Sequence, residues 1–265
     1  MLLLALDTST HQSSIALCTT TDLLAEYSWS STNNHSVELL ERIERLFTDC
    51  HLTLPDVDGI AVATGPGSFN GVRVAVASAK ALAFALQKPL IGISTLEIIA
   101  AHQLYNNSAL LCTALEAGRS ELYTGFYRWQ TVTPTEEPAL VQIGDYQLGT
   151  PQQVLAVLQQ LTDGGATELC FSGEIRAVSR QSFQQHWPAP ITFISGVAAS
   201  RRASVLARLA ETRILRGQSD DPHTLEPLYL RRPSITTSTR KRPLLGGQPP
   251  IGPHTTEREE GALRH

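Results

Sequence analysis

Lysine is almost missing from this chain. Only Lys80, Lys88 and Lys241 occur among 21 basic residues, so arginine carries the positive charge, and the formal balance is −4. A chain with that balance is no general electrostatic magnet for nucleic acid. The four cysteines, Cys18, Cys50, Cys112 and Cys170, are far apart and form no Cys-x-x-Cys. That argues against a disulfide framework or a structural zinc site, and it leaves Cys18, Cys112 and Cys170 as thiols buried in apolar, strand-like runs. No two histidines stand four residues apart, so no helical face offers a histidine pair to a metal. No apolar run approaches the roughly 20 residues of a membrane span. The apolar start, Met1 to Leu6, is too short for a secretion signal and is interrupted by Asp7. A cytoplasmic protein with no membrane contact is the expectation.

What is present is a glycine-rich turn between an apolar strand and an alanine-rich helix. Gly59 to Thr64 leads into Gly65-Pro66-Gly67-Ser68-Phe69-Asn70-Gly71-Val72-Arg73, and then into an apolar segment ending at Leu86. Gly65, Gly67 and Gly71 permit backbone angles or close approaches that a side chain would block, and a helix start presents unpaired N–H groups suited to an anion. The spacing is not a Walker loop, because no Gly-Lys-Ser/Thr follows. It is not a nucleophile elbow either, because Pro66 replaces the first glycine of Gly-x-Ser-x-Gly.

Periodicity predicts strands over Leu2–Asp7, Ser13–Thr19 and Leu23–Trp29. A helix follows from Ser36 to Cys50, with Val37, Leu40, Ile43 and Phe47 on one face, then a strand at Val57–Ala63. A helix at Val72–Leu86, a strand at Leu90–Ile93 and a helix from Thr95 to Leu104 complete the first half. This order, β-β-β-α-β-α-β-α, matches the ribonuclease-H-like half found in actin, Hsp70 and sugar-kinase ATPases. A second half starts the same way. Its predicted strands are Leu110–Leu115, Glu121–Trp129 and Ala139–Ile143, followed by a helix at Pro151–Leu161 capped by Thr150. A strand at Leu169–Ser172, a helix at Glu174–His186, a strand at Ile191–Ile194 and a helix from Arg202 to Thr212 end it. The fold expected is therefore α/β of two lobes, residues 1–105 and an abbreviated 106–232. A Pro/Gly-rich tail, 233–265, follows and reads as disordered. Arg231, Arg232, Arg240, Lys241 and Arg242 make its start locally basic.

Gly65-Pro66-Gly67-Ser68-Phe69 with Gly71-Val72-Arg73 closely resembles the signature of the bacterial TsaB (YeaZ) family, where a threonine usually stands in place of Asn70. The resemblance continues in Leu3 to Ser9, in His35-Ser36, in Pro89 to Glu97 and in Glu116 to Tyr123. Members tend to carry Asp-Ala-Arg at the positions of Glu116-Ala117-Gly118. The resemblance implies a non-catalytic subunit in the synthesis of N6-threonylcarbamoyladenosine beside the anticodon of tRNA. Such a subunit pairs with the transferase TsaD, works with the ATPase TsaE in a larger assembly, meets tRNA through the complex, and can form a homodimer when alone. It implies no cofactor on this chain, with metal and ATP on the partner subunits. TsaD carries a histidine pair at the start of its third helix; Thr95 and Ile99 stand in those places here. Asp7-Thr8-Ser9-Thr10 lies where actin-like ATPases carry Asp-x-Gly-Thr, with Ser9 in place of the glycine. Asp7, Thr8, Ser9, Gly65, Gly67, Ser68, Gly71 and Arg73 therefore read as an eroded phosphate turn, and Ser195 to Ala199 as an eroded adenosine motif. The alternative is an enzyme acting alone, an actin-fold ATPase or kinase or a glycoprotease-like peptidase.

The alanine-rich helix is apolar on both sides. Val72, Val76, Ala79, Ala83 and Leu86 line one face, and Val74, Ser78, Ala81, Leu82 and Ala85 the opposite one. Two apolar faces predict burial on two sides. Val37, Leu40, Ile43 and Phe47 with Val72, Val76, Ala79 and Ala83 are the expected helical-bundle interface. Arg119 and Glu121 are expected to pair across a hairpin.

Overall fold

A computed structural model describes residues 1–31, 35–103, 109–131, 138–162, 168–194 and 196–231. The side chains of His35 and Val197, and the tail expected over 233–265, lie outside the described residues.

The first sheet comprises β1 (Leu2–Asp7), β2 (Gln12–Thr19), β3 (Leu23–Ser30), β4 (Gly59–Ala63) and β5 (Leu90–Ile93), in the order β3-β2-β1-β4-β5. β1 pairs antiparallel with β2 and parallel with β4, with Leu6 opposite Ile15 and Val62. β1 and β4 are central and covered on both faces, which is why each reads as an unbroken apolar run rather than an alternation. Helices α1 (His35–Asp49) and α2 (Phe69–Leu86) cover one face, where Leu39, Ile43, Leu46 and Phe47 meet Leu4, Leu6, Val62, Val72 and Val76. By length and composition α2 is apolar enough to cross a membrane. Here it lies along the sheet with Gly71, Val72, Ala75, Val76, Ala79 and Ala83 buried.

The second sheet comprises β6 (Leu110–Gly118), β7 (Glu121–Gln130), β8 (Ala139–Gln142), β10 (Leu169–Glu174) and β11 (Ile191–Phe193). A short β9 (Gln147–Gly149), not foreseen from the pattern, pairs with β7. Read from β8, the order β8-β7-β6-β10-β11 repeats the first sheet strand for strand, antiparallel then parallel. The second half is thus a topological copy of the first, and both are ribonuclease-H-like. Helices α4 (Pro151–Leu161) and α5 (Ala177–His186) cover one face of this sheet. Thr150 and Gln153 close a capping box at the start of α4.

The last helix of each half is exchanged. α3 (Thr95–Ala101) packs Leu96, Ile99 and Ala100 on the second sheet, against Leu115, Leu111 and Tyr127. α6 (Ala203–Leu215), expected within the second lobe, packs on the first sheet instead. Its Ala203, Leu206, Ala207 and Ala210 meet Leu3, Ala5, Ala16 and Ala61. The small residues on both sides let that helix lie close to the strands. Residues 219–231 also return to the first half. The N–H of Gly92 donates to Asp220 Oδ2 at 2.7 Å and Leu228 N–H to the Thr64 carbonyl at 2.7 Å. Arg231 then reaches the second half, donating to the Ala117 carbonyl at 3.2 Å and pairing with Glu121. Glu121 is therefore the partner of Arg231 rather than of Arg119, and Arg231 is held in the folded body, within the bounds expected for the second lobe.

Candidate functional site

The cleft between the two sheets lies at the carboxyl ends of β1, β4, β6 and β10, where open α/β sheets take ligands. β1 ends at Asp7, and the chain turns at once through Thr8-Ser9-Thr10. Asp7 Oδ1 accepts from the N–H of Ser9 at 2.9 Å and from its hydroxyl at 2.6 Å. An aspartate bonding its own backbone two residues on is a turn-forming contact, and Ser9 takes part in it with its side chain.

The glycine-rich turn leans on this one. Ser68 N–H donates to the Ser9 carbonyl at 2.6 Å, and Thr8 Oγ1 donates to the Gly71 carbonyl at 2.6 Å. A Cβ on Gly67 would stand 1.9 Å from the Ser9 carbonyl oxygen, and one on Gly71 2.1 Å from that of Thr8. These glycines are required because two backbone turns touch. Ser68 caps α2, accepting from Gly71 N–H at 3.3 Å. Asp7, Thr8, Ser9, Gly67, Ser68 and Gly71 are therefore brought together. Gly65, with φ +94°, sits apart against Val72 and the Leu228 carbonyl. Arg73 points away, over the Phe69 ring at 3.7 Å and onto the Tyr229 hydroxyl at 2.8 Å.

Sequence reasoning missed the group that fills the centre. Arg201, 3 % exposed, donates from Nε to Asp7 Oδ2 at 3.0 Å and from Nη1 to Glu174 Oε1 at 2.7 Å. Its Nη2 donates to Thr10 Oγ1 and to the Gln12 carbonyl, both at 2.6 Å. Thr10 Oγ1 donates in turn to Glu174 Oε1 at 2.8 Å. Burial alone would lower the guanidinium pKa, but Asp7 and Glu174 outweigh it and hold it above its usual value. An outer cavity of about 630 Å³ remains, lined by His11, Ser68, Tyr123, Arg176 and Arg180 among others.

Two helices at this cleft begin with arginine, a poor choice beside the positive end of a helix dipole. Each is corrected by a carboxylate from a distant strand. Glu116 accepts from Arg176 N–H at 2.9 Å and Ser179 Oγ at 2.8 Å at the start of α5, and pairs with the Arg176 side chain at 2.7 Å. Glu26 does the same for α6, accepting from Ser204 N–H and Oγ at 2.9 Å and from Arg202. The tandem Arg201-Arg202 just ahead of an apolar helix was the available signal, since a locally unfavourable charge implies partners elsewhere. Glu116 is thus a helix cap, whatever residue relatives carry there.

The positions where TsaD carries histidines are core positions here. Thr95 is buried in the first turn of α3, and Ile99 packs with Leu96 and Leu115. Among the described residues no three His, Cys, Asp or Glu side chains gather as a metal-ligand set. His102 ends α3, with its pKa lowered by burial and by Arg202.

The expected interface residues separate into two groups. Ile43, Phe47, Val72, Val76, Ala79 and Ala83 are buried within the protein, because that side of α1 and α2 faces the sheet and its neighbouring helix. Only Val37, 68 % exposed, and Leu40, 61 % exposed, face outward. The outward side of α2 is instead Ala77, Ala81, Ala85 and Phe84, the last 58 % exposed. A groove between the helices is lined by Leu40, Ile43, Phe47, Leu54 and Leu82.

These features define a duplicated ribonuclease-H-like α/β protein whose two halves are bridged at the inner end of the cleft by its own arginine and whose first half exposes apolar residues on two helices. A family model described as TsaD: tRNA N6-adenosine threonylcarbamoyltransferase matches residues 22–238, and the chain belongs to that family. A Bacillus subtilis relative, tRNA threonylcarbamoyladenosine biosynthesis protein TsaB, is 38 % identical over 130 residues, 49 % of this chain and 56 % of the relative. A tRNA N6-adenosine threonylcarbamoyltransferase of Bartonella henselae is 31 % identical over 170 residues, 55 % of this chain and 47 % of the relative. The chain spans about half the length of the curated relatives it matches. The solved structure of YeaZ from Pseudomonas aeruginosa superposes with a TM-score of 0.69 at 28 % identity, covering 86 % of this chain and 99 % of that one. The likeness to TsaB, or YeaZ, proteins read from the glycine-rich turn is borne out.

Proposed function

We propose that this chain is the non-catalytic subunit of N6-threonylcarbamoyladenosine synthesis on tRNA, pairing with the transferase TsaD through the outward face of α1 and α2. The observation that carries this reading is the apolar part of the outward face: Val37, Leu40, Ala77, Ala81 and Phe84 are exposed while the inward sides of both helices are buried against the sheet and each other. Alanines on the outward ridge let another helix approach closely. The chosen occupant is the equivalent helix pair of TsaD, because a transferase of that name shares sequence with this chain over 170 residues. A second copy of this chain would present the same pair and make a symmetric contact. TsaE joins the assembly, tRNA is met through the complex, and metal and ATP reside on the partner subunits of this cytoplasmic assembly.

Calorimetry of the full chain with TsaD of the same organism tests the reading. Wild type binds, and Ala77→Arg and Ala81→Glu each abolish binding while melting as wild type. Both variants binding with wild-type affinity would overturn it. The purified chain alone also hydrolyses ATP far below the enzyme range of about one turnover per second. Turnover at that rate, lost in Asp7→Ala, would favour an ATPase instead.

A further inference from the structure

The phosphates of the nucleotide implied by the fold do not fit between the two touching turns as this chain builds them. Ser9 N–H and Ser68 N–H, two amides at the touching turns, already donate to Asp7 and to the Ser9 carbonyl. Gly67 and Gly71 admit a neighbouring backbone, so the space that glycines would leave for a phosphate is taken by the chain itself. What stands at the centre is a cation, the Arg201 guanidinium, hydrogen-bonded to four oxygens: Asp7 Oδ2, Thr10 Oγ1, the Gln12 carbonyl and Glu174 Oε1.

Those oxygens come from both halves. Asp7, Thr10 and Gln12 belong to the first sheet and its turn, and Glu174 ends β10 of the second. Arg201 is in the segment that carries the chain from the second half back onto the first. A buried charge is tolerated only when paired and hydrogen-bonded, and removing one partner leaves the others uncompensated. Without the guanidinium, Asp7 and Glu174 would face one another as two carboxylates, which repel. The planar fork of arginine, with its fixed donor directions, suits four acceptors at set positions better than a flexible ammonium would.

We propose that Arg201 is a built-in cation that occupies the place of a ligand in the cleft and fastens the two halves together without nucleotide or metal. The two sheets then move as one body, and the chain is a rigid partner whose shape does not depend on ATP. The inference stands apart from the pairing with TsaD, since it concerns the isolated chain.

Hydrogen exchange read by mass spectrometry on the full chain tests it, over segments 3–12 and 169–176, with and without millimolar magnesium ATP. In the wild type, nucleotide leaves exchange and melting temperature unchanged. In Arg201→Gln, exchange speeds by about tenfold or more in both segments together, while residues 72–83 of α2 keep their protection. Protection of 7–12 or 65–71 of the wild type by nucleotide would overturn the proposal, and so would acceleration in one segment alone or in neither. Should Arg201→Gln fail to fold, Glu174→Gln serves, because its carboxylate is one-third exposed and Asp7 stays paired with Arg201. Faster exchange in 7–12, on the opposite sheet, is then expected, and an unchanged 7–12 would refute the fastening.

Discussion

The two halves repeat one strand order, yet their outer helices present opposite chemistry. On α4 and α5 the outward positions are dominated by amides, Gln152, Gln153, Gln159 and Gln160 on one helix and Gln181, Gln184 and Gln185 on the other. On α1 and α2 the outward positions include Val37, Leu40, Ala77, Ala81, Phe84 and Ala85 beside the charged Glu41, Glu44 and Arg45. A lone exposed apolar residue such as Val178, 78 % exposed on α5, needs no explanation, whereas several on two neighbouring helices do. The same strand order is therefore finished differently: the second half ends in an amide-rich surface, and the first half carries the apolar residues that the proposed pairing with TsaD would cover.

The sharpest way to break this comparison is to charge the inner and outer positions of the helices. Val76→Arg, on the buried side of α2, is expected to lower stability by about 3–5 kcal/mol through an unpaired buried charge. Val178→Arg on α5 stays within about 0.5 kcal/mol of wild type. Urea denaturation of both variants measures the difference, and equal losses would mean the two helices are covered alike.

A smaller effect is expected from truncating the outward aromatic. Phe84→Ala weakens the proposed association with TsaD by about tenfold to thirtyfold, near 1.4–2 kcal/mol, while Gln184→Ala on α5 leaves affinity unchanged. A titration in which both behave alike would remove the distinction between the halves.

Helix capping sharpens the comparison in another way. Glu116→Gln is expected to cost about 1 kcal/mol at neutral pH, the usual size of a lost cap. Burial pushes the Glu116 carboxyl up, but hydrogen bonds from Arg176 and Ser179 and the Arg176 charge outweigh this and hold its pKa below the ordinary value. A carboxylate with a depressed folded pKa contributes stability above its unfolded pKa of 4.5 and loses it as pH falls through the lower folded value. Melting curves against pH should therefore show the gap between wild type and Glu116→Gln closing below that range; a gap independent of pH would assign the effect to packing.

The smallest effect concerns the turns that follow the first strand of each half. Arg119 and Ser120 both take positive φ, 53° and 58°, the two central positions of a tight hairpin. Ser120→Gly relieves that conformation and is expected to raise stability by about 0.5 kcal/mol. At the matching turn of the first half, Ser9→Gly removes the hydroxyl that bonds Asp7 and lowers stability. Thermal melts of the two variants moving in the same direction would show that the turns are not differently built.

Most strands and helices were readable from periodicity. The runs of β1 and β5 and the capped segment of α4 lie where alternation, buried runs and Thr150-Pro151 place them. β9 escaped because three residues carry no period. The helix expected from Glu174 starts later, because Glu174 ends β10 and gives its carboxylate to Arg201. The glycine-rich turn was recognised, but for a different physical use: its glycines receive a neighbouring backbone, and Arg73 leaves the turn for Tyr229.

By itself the sequence determined most of the order of elements and the family, because hydrophobic period, caps and a glycine-rich signature are local and survive in one dimension; it suggested the duplicated plan, which the matching strand order established. It also determined that α2 would be apolar on two sides. Only the tertiary structure decided which side of α2 faces the sheet, since a helix apolar on both sides offers no internal reference for inside and outside. The exchange of α3 and α6 between sheets, and the meeting of Asp7, Glu174 and Arg201 across 194 positions of chain, were likewise decided there. A buried charge is satisfied by whatever groups the fold brings within about 3 Å, and nothing in the spacing of those residues along the chain records that distance.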